Sequence, residues 1–274
     1  MTLLLLLLLA APDGGVLLER PMVITADKGV GKSREKHAEY QGHVKVVRDT
    51  TTMTCDRLEV LYGAEGGQIT RILGHGNVEA VDGDRWAKGE EADFDNLTGV
   101  LVVTGHPEAR QGKREVVGEV VTFTTGADRV HVTRPKTRLE DEKAPGADKR
   151  IAIDADELTL ESAKKEAVWK GHVHARRGPT TLTAPELTAF YDDAGEVTRV
   201  DARGGVEVTE ADRWAMGQFA TYDVASGLLV VTGKPQARQG KNRMKGTKVI
   251  FRTGSDVIEV EKAETIIDME KKKK

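Results

Sequence analysis

The sequence predicts an all-β fold built as two tandem copies of one unit. Three observations carry that expectation. Gly99–Lys113, GVLVVTGHPEARQGK, returns at Gly227–Lys241 as GLLVVTGKPQARQGK. Apolar residues recur at every second position, the period of a strand with one buried face. The runs are short and closed by Gly, Asn and Asp, residues that tolerate the positive φ of tight turns.

The repeat extends well beyond that segment. Ile24–Asp27 matches Ile153–Asp156, Gly42-His43-Val44 matches Gly171-His172-Val173, and Tyr62 matches Tyr191, all 129 positions apart. One residue is lost in a Gly-rich turn, 63–67 against 192–195. From Arg71 and Arg199 onward the offset is 128. Trp86 then matches Trp214, and Phe123 matches Phe251. A length change confined to a turn is what a loop absorbs and a core does not.

Each strand reads from its alternation. GHVKVV at 42–47 puts Val44 and Val46 on one face and Lys45 on the other. Leu58, Val60 and Tyr62 share a face, opposite Arg57 and Glu59. Val78 pairs with Ala80, Ala92 with Phe94, Ala220 with Tyr222, Val121 with Phe123 and Val249 with Phe251. Many short strands at such spacing indicate a sandwich, jelly roll or barrel. Leu101-Val102-Val103 and 228–231 break the alternation, with apolar side chains facing both ways. The best helical stretch, 162–168, reads as a strand edge with a turn.

The organisation expected is a signal peptide over 1–15, a module over 20–134, a linker over 135–149, a second module over 150–262 and a Lys-rich tail over 263–274. Leu3–Leu9 is too short to span a bilayer and fits the apolar core of an export signal, although no basic residue precedes it. The linker holds Pro135, Pro145 and Gly146 among mixed charges. It reads either as a plain connection or as an edge strand.

Composition excludes several classes. The net charge of −3 gives no electrostatic case for a nucleic-acid partner. Aromatics at 4% leave little for stacking on bases or sugars. Cys55 is the sole cysteine, so no internal disulfide forms; Ala184 at its repeat position marks it as a small packed side chain. Seven histidines show no closed zinc spacing. His172-x-His174 is not repeated in the first copy, and neither Asp154-x-Asp156 nor Asp82-Gly83-Asp84 completes a calcium loop. No nucleophile elbow, P-loop or dinucleotide fingerprint appears. Asp84-Arg85-Trp86 and Asp212-Arg213-Trp214 read as a turn aspartate followed by a packing aromatic. No enzymatic step and no cofactor are expected.

The ordered pieces ITAD, GHVKV, MTCDRLEVLY, ITRILGHGNV, GEEADFD and LVVTGHP, doubled over about 21–133 and 150–260, resemble the periplasmic lipopolysaccharide-transport protein A family, the OstA-like module. The resemblance implies two tandem open β-jelly rolls, either separate or fused into one continuous grooved sheet. It implies a periplasmic bridge protein that carries lipid A acyl chains in an apolar groove. The implied partners are lipopolysaccharide, the inner-membrane bridge component and the outer-membrane translocon. Unpaired edge strands would recruit further copies end to end. Family lipid-facing positions fall on Met22, Ile24 and Phe94, and by repeat symmetry on Ile151, Ile153 and Tyr222. Val44, Val46, Val78, Leu101 and Val173 extend the same lining. A second copy within one chain departs from the single-module family pattern. Competing readings are a structural or adhesive β-repeat with a filled interior, and a carbohydrate-active jelly roll. The second would need a carboxylate pair beside exposed aromatics.

Overall fold

The computed structural model describes residues 22–48, 50–64, 67–83, 85–111, 114–124, 127, 129–140, 150–252 and 257–266. The leader expected over 1–15, most of the linker and the lysines of the tail lie outside these residues.

Among the described residues there is no α-helix, and hence no helix long and apolar enough to cross a membrane. The first copy gives β1 (Val23–Thr25), β2 (Lys28–Lys32), β3 (His37–Arg48), β4 (Thr51–Tyr62), β5 (Ile69–Asp82), β6 (Arg85–Asp95), β7 (Val100–Thr104), β8 (Glu108–Gln111), β9 (Arg114–Val117), β10 (Val120–Thr124) and β11 (Arg129–Thr133). The stretch read as a junction contributes β12 (Lys136–Glu140). The second copy gives β13 (Arg150–Asp154), β14 (Glu157–Glu161), β15 (Glu166–Arg177), β16 (Thr180–Tyr191), β17 (Val197–Glu210), β18 (Arg213–Asp223), β19 (Leu228–Thr232), β20 (Gln236–Gln239), β21 (Asn242–Lys245), β22 (Lys248–Arg252), β23 (Ile258–Glu261) and β24 (Glu264–Ile266).

The chain divides into two compact units. One holds the first copy to Pro135 together with Leu158–Lys164, and the other holds Lys136–Glu157 with the remainder. Although it lies inside the second sequence copy, most of β14 therefore groups with the first unit. It pairs with β11, where Arg129 meets Glu161 at 3.1 Å and the His131 ring lies 3.3 Å from the Thr159 hydroxyl.

In the first unit β3 to β6 form an antiparallel meander of strands 11 to 14 residues long. Each long strand serves two sheets. The first half of β3 pairs with β2 and its second half with β1. The second half of β6 pairs with β7 and its first half with β8. One sheet continues through β10 and β11, the other through β9. The turnover occurs at register shifts between Gln41 and Val44, Thr54 and Arg57, and His75 and Val78. Bulges at such points bend a strand from one sheet into the next.

The chemistry of that corner explains GHV. Gly42 and His43 both take positive φ, 76° and 46°. A Cβ at Gly42 would lie 2.3 Å from the Asp27 carboxylate, so only glycine fits. The His43 ring then meets Asp27 at 2.7 Å, and that hydrogen bond raises the imidazole pKa. Gly171, His172 and Asp156 repeat the corner in the second unit, at 2.8 Å. His172 is thereby committed to Asp156 rather than paired with His174.

The second unit repeats the plan. β15 to β18 form the meander, β18 divides between β19 and β20, and the sheets continue through β22–β23 and β21–β24. β13 pairs with both β12 and β15. Both units are antiparallel jelly rolls, the class the alternation and turns predict. Residues 162–165 form a turn and β15 begins at Glu166, so the weak helical stretch is a strand entered through a turn.

Candidate functional site

The inner face of the first unit is a continuous apolar wall. Val44 and Val46 on β3, Val78 on β5, Phe94 on β6 and Leu101 on β7 are all buried. Met22 and Ile24 are half-buried, and Ile24 sits opposite Val46. In the second unit Ile153 and Val173 are buried, whereas Ile151 and Tyr222 are half-buried.

Three of these residues converge on one feature. Val78, Phe94 and Leu101 line a cavity of about 30 Å³ together with Met53, Ile72, Gly74, Ala80, Ala87, Ala92 and Val103. It lies where β4 to β7 pass through the corner. Val44, Val46, Met22 and Ile24 are not among its lining residues. Nor is any second-unit residue, so the cavity belongs to the first unit alone. Lys88 is also among the lining residues, and its ammonium reaches Glu108 at 2.9 Å and lies 5.2 Å from the Trp86 ring. Its charge is thus drawn off the apolar wall, as long cationic side chains permit.

Alternation alone did not reveal Gly74, Ala87 or Met53 as wall residues. Their signal is smallness or flexibility at an inward position. It becomes visible once register shows Gly74 opposite Leu58 and Ala92, and Ala80 opposite Met53 and Ala87.

The repeated tryptophans face away from this wall. Trp86 donates its indole N–H to Glu79 and carries Arg110 at 5.0 Å over its ring. Trp214 donates to Glu207 at 2.6 Å with Arg238 at 5.8 Å. They are packing aromatics clasped by cations. Arg213, next to Trp214, is buried and ion-paired with Glu210 at 2.7 Å. Its guanidinium also lies 5.9 Å from the Phe251 ring. Among the described residues no group of three or more His, Cys, Asp or Glu side chains is placed to hold a metal ion.

Cys55 is buried beside the corner, its Sγ 3.9 Å from where a Cβ at Gly74 would stand. Burial, the largest cause, pushes its thiol pKa up to about 11. The thiolate is the reactive form, and its fraction at pH 8 falls by roughly a hundredfold relative to an ordinary thiol. Cys55 in the folded chain therefore reacts with N-ethylmaleimide at pH 8 at least about 100-fold more slowly than in urea. Comparable rates in the two conditions would show that the corner does not bury the thiol.

The profile described as LptA/(LptD N-terminal domain) LPS transport protein matches residues 23–129 and again residues 152–257. The chain belongs to this family. Its two matched stretches are the two sequence copies, so it is a tandem member. An uncharacterized protein of Rhizobium meliloti (strain 1021) is 25% identical over 111 residues, covering 37% of this chain and 60% of that protein. The chain thus spans less than two thirds of that relative's length. Among solved structures, the crystal structure of LptH from Pseudomonas aeruginosa, described as the LptA-homologous periplasmic component of the lipopolysaccharide transport device, aligns with a TM-score of 0.41 at 19% identity. The alignment covers 47% of this chain and 99% of LptH.

Proposed function

We propose that this LPS transport family member is a periplasmic bridge protein that carries the acyl chains of lipid A along its apolar inner faces, with no chemical step. Its partners in this reading are lipopolysaccharide, an inner-membrane bridge component and an outer-membrane translocon. The observation that carries it is the inner wall of the first unit, apolar throughout, with a cavity at the corner that its own side chains leave unfilled. An apolar cavity stays dry and accepts apolar groups. At about 30 Å³ it has room for only a few methylene-sized groups. A whole acyl tail requires the two sheet halves to part along the bulges.

End-to-end association is part of the same proposal. Among the described residues β1 and β2 pair with β3 alone, β23 pairs only with β22, and β24 only with β21. Free edges of this kind accept strands by β-augmentation. Four exposed apolar side chains lie on or beside these strands, Val23 at 57%, Val30 at 40%, Val257 at 64% and Ile266 at 45% exposure, while Val81, Leu97, Met216 and Phe219 are exposed elsewhere. Such exposure suits strands that gain a covering neighbour on assembly.

A photo-crosslinking amino acid placed at Phe94 captures lipopolysaccharide in living cells on this reading. Clean failure at Phe94, Val78 and Leu101 together, in a folded chain that still associates, would leave an adhesive β-repeat as the function.

A further inference from the structure

The two copies share a register through the corner, so their walls can be compared atom for atom. Gly74 stands opposite Leu58 and Ala92; its counterpart Ala202 stands opposite Leu187 and Ala220. Ala80 stands opposite Met53 and Ala87; its counterpart Val208 stands opposite Leu182 and Ala215. Glycine to alanine adds one carbon and alanine to valine adds two. Ile72 to Val200 returns one carbon, Cys55 to Ala184 beside this position returns a sulfur without touching the space at Ala80, and Met53 to Leu182 is close to neutral in volume. Ala202 and Val208 are both buried, so the added carbons enter the interior. Polarity differs as well. Phe94 offers a bare ring to the cavity, but its counterpart Tyr222 carries a hydroxyl that accepts a hydrogen bond from Arg177 at 3.2 Å. The Arg177 guanidinium also lies 5.7 Å from that ring.

Space at Gly74 is real rather than nominal. A Cβ there would meet Val78 at 3.5 Å, Ala92 at 3.8 Å and Cys55 at 3.9 Å, all ordinary contact distances. The backbone at Gly74 has no positive φ that would demand glycine. Glycine within a strand costs stability relative to alanine, because it packs nothing and loses more chain entropy. Neither turn geometry nor close approach accounts for this glycine, and it lines the cavity.

We infer that the corner of the first unit is a seat for the end of a saturated hydrocarbon chain, made by Gly74 and Ala80, and that the second unit lacks an equivalent seat because Ala202 and Val208 fill it. The inference rests on the lipid-carrying reading and deepens it. The two modules of this chain are not interchangeable. A tail that slides along the inner walls pauses in the first unit, with its terminal methylenes between Gly74, Ala80 and Phe94, and passes the second without a pocket of that shape. Lys88 is also at the lining, its charge held by Glu108.

The test uses the full chain and a sixteen-carbon fatty acid with a diazirine at its terminal carbon, competed by excess lipopolysaccharide. Peptide mass spectrometry locates the adducts. In the wild-type chain, peptides spanning 72–94 carry about tenfold more competable adduct than those spanning 200–222, the scale set by a few buried methylenes. Gly74→Ala with Ala80→Val removes that excess, and Ala202→Gly with Val208→Ala raises labelling of the second unit. The reciprocal pair guards against misfolding of the first, since each variant has its own unaltered unit as internal control. Equal labelling of the two units in the wild type, or an excess unchanged by the filling pair, overturns the inference while the lipid-carrying reading stands. Absence of competable adduct anywhere overturns both.

Discussion

Trp169→Ala lowers the stability of the second unit by about 4 kcal/mol, in the middle of the range for loss of a buried aromatic. Trp169 is 1% exposed and is the largest fully buried side chain of the described residues. Its indole N–H donates to the Thr137 hydroxyl at 3.0 Å, and Thr137 is itself 5% exposed. Truncation therefore opens a large cavity and also strands a buried hydroxyl, a further cost of about 1–3 kcal/mol before relaxation. Thr137 belongs to β12, so this one bond ties the stretch after Pro135 into the second core. Trp169→Phe separates the two effects by keeping most of the ring and removing the donor. The first-copy counterpart, Tyr40, is only half-buried, and Tyr40→Ala costs about half as much on the same area scale. Urea titration followed by circular dichroism reads all three. A loss under about 1 kcal/mol for Trp169→Ala would mean that the second core does not close around this ring.

Two glycines fifteen positions apart respond to alanine with opposite sign. Gly89→Ala destabilises the first unit by about 2–4 kcal/mol, because overpacking against backbone cannot relax cheaply. A Cβ at Gly89 would lie 2.6 Å from Val103 Cγ1 and 2.8 Å from the Thr104 carbonyl oxygen. Gly89 stands where β6 leaves β8 for β7, so the strand must pass this close for both sheets to form. Gly217 repeats the approach in the second unit, with a Cβ 2.5 Å from the Thr232 carbonyl oxygen. Gly74→Ala, by contrast, meets nothing nearer than 3.5 Å and stabilises by about 0.5–1 kcal/mol. Thermal melting of the two variants checks the pair. Equal loss in both would mean that Gly74 is needed by the fold rather than by the cavity.

The repeat and the inward alternation were readable from residues because each leaves a local signature. Leu58 with Val60, Ala92 with Phe94 and Val121 with Phe123 do share the buried face. The length of the strands was less legible. GHVKVV reads as an alternating stretch over 42–47, yet β3 begins at His37 and runs through the corner. On β4 the inward parity switches, from Met53 and Cys55 before the bulge to Leu58 and Val60 after it. A period-two pattern that changes phase midway looks like two short strands. Leu101-Val102-Val103 involves no such switch: Leu101 and Val103 are buried and Val102 is half-buried on the other side, so β7 keeps a plain alternation that apolar residues on both faces had masked. The grouping of Leu158–Lys164 with the first unit left no local trace, because strand partners distant in sequence are set by register and not by composition.

The central claim concerns which face of the wall meets lipid, and adjacent residues on β6 separate the faces. Phe94 points inward to the cavity. Asp93 points outward, where it pairs with Arg71. With a photo-crosslinking residue at each position in turn, lipopolysaccharide is captured from position 94 and not from position 93. Capture from 93 alone, or equally from both, would contradict an acyl chain held along the inner face.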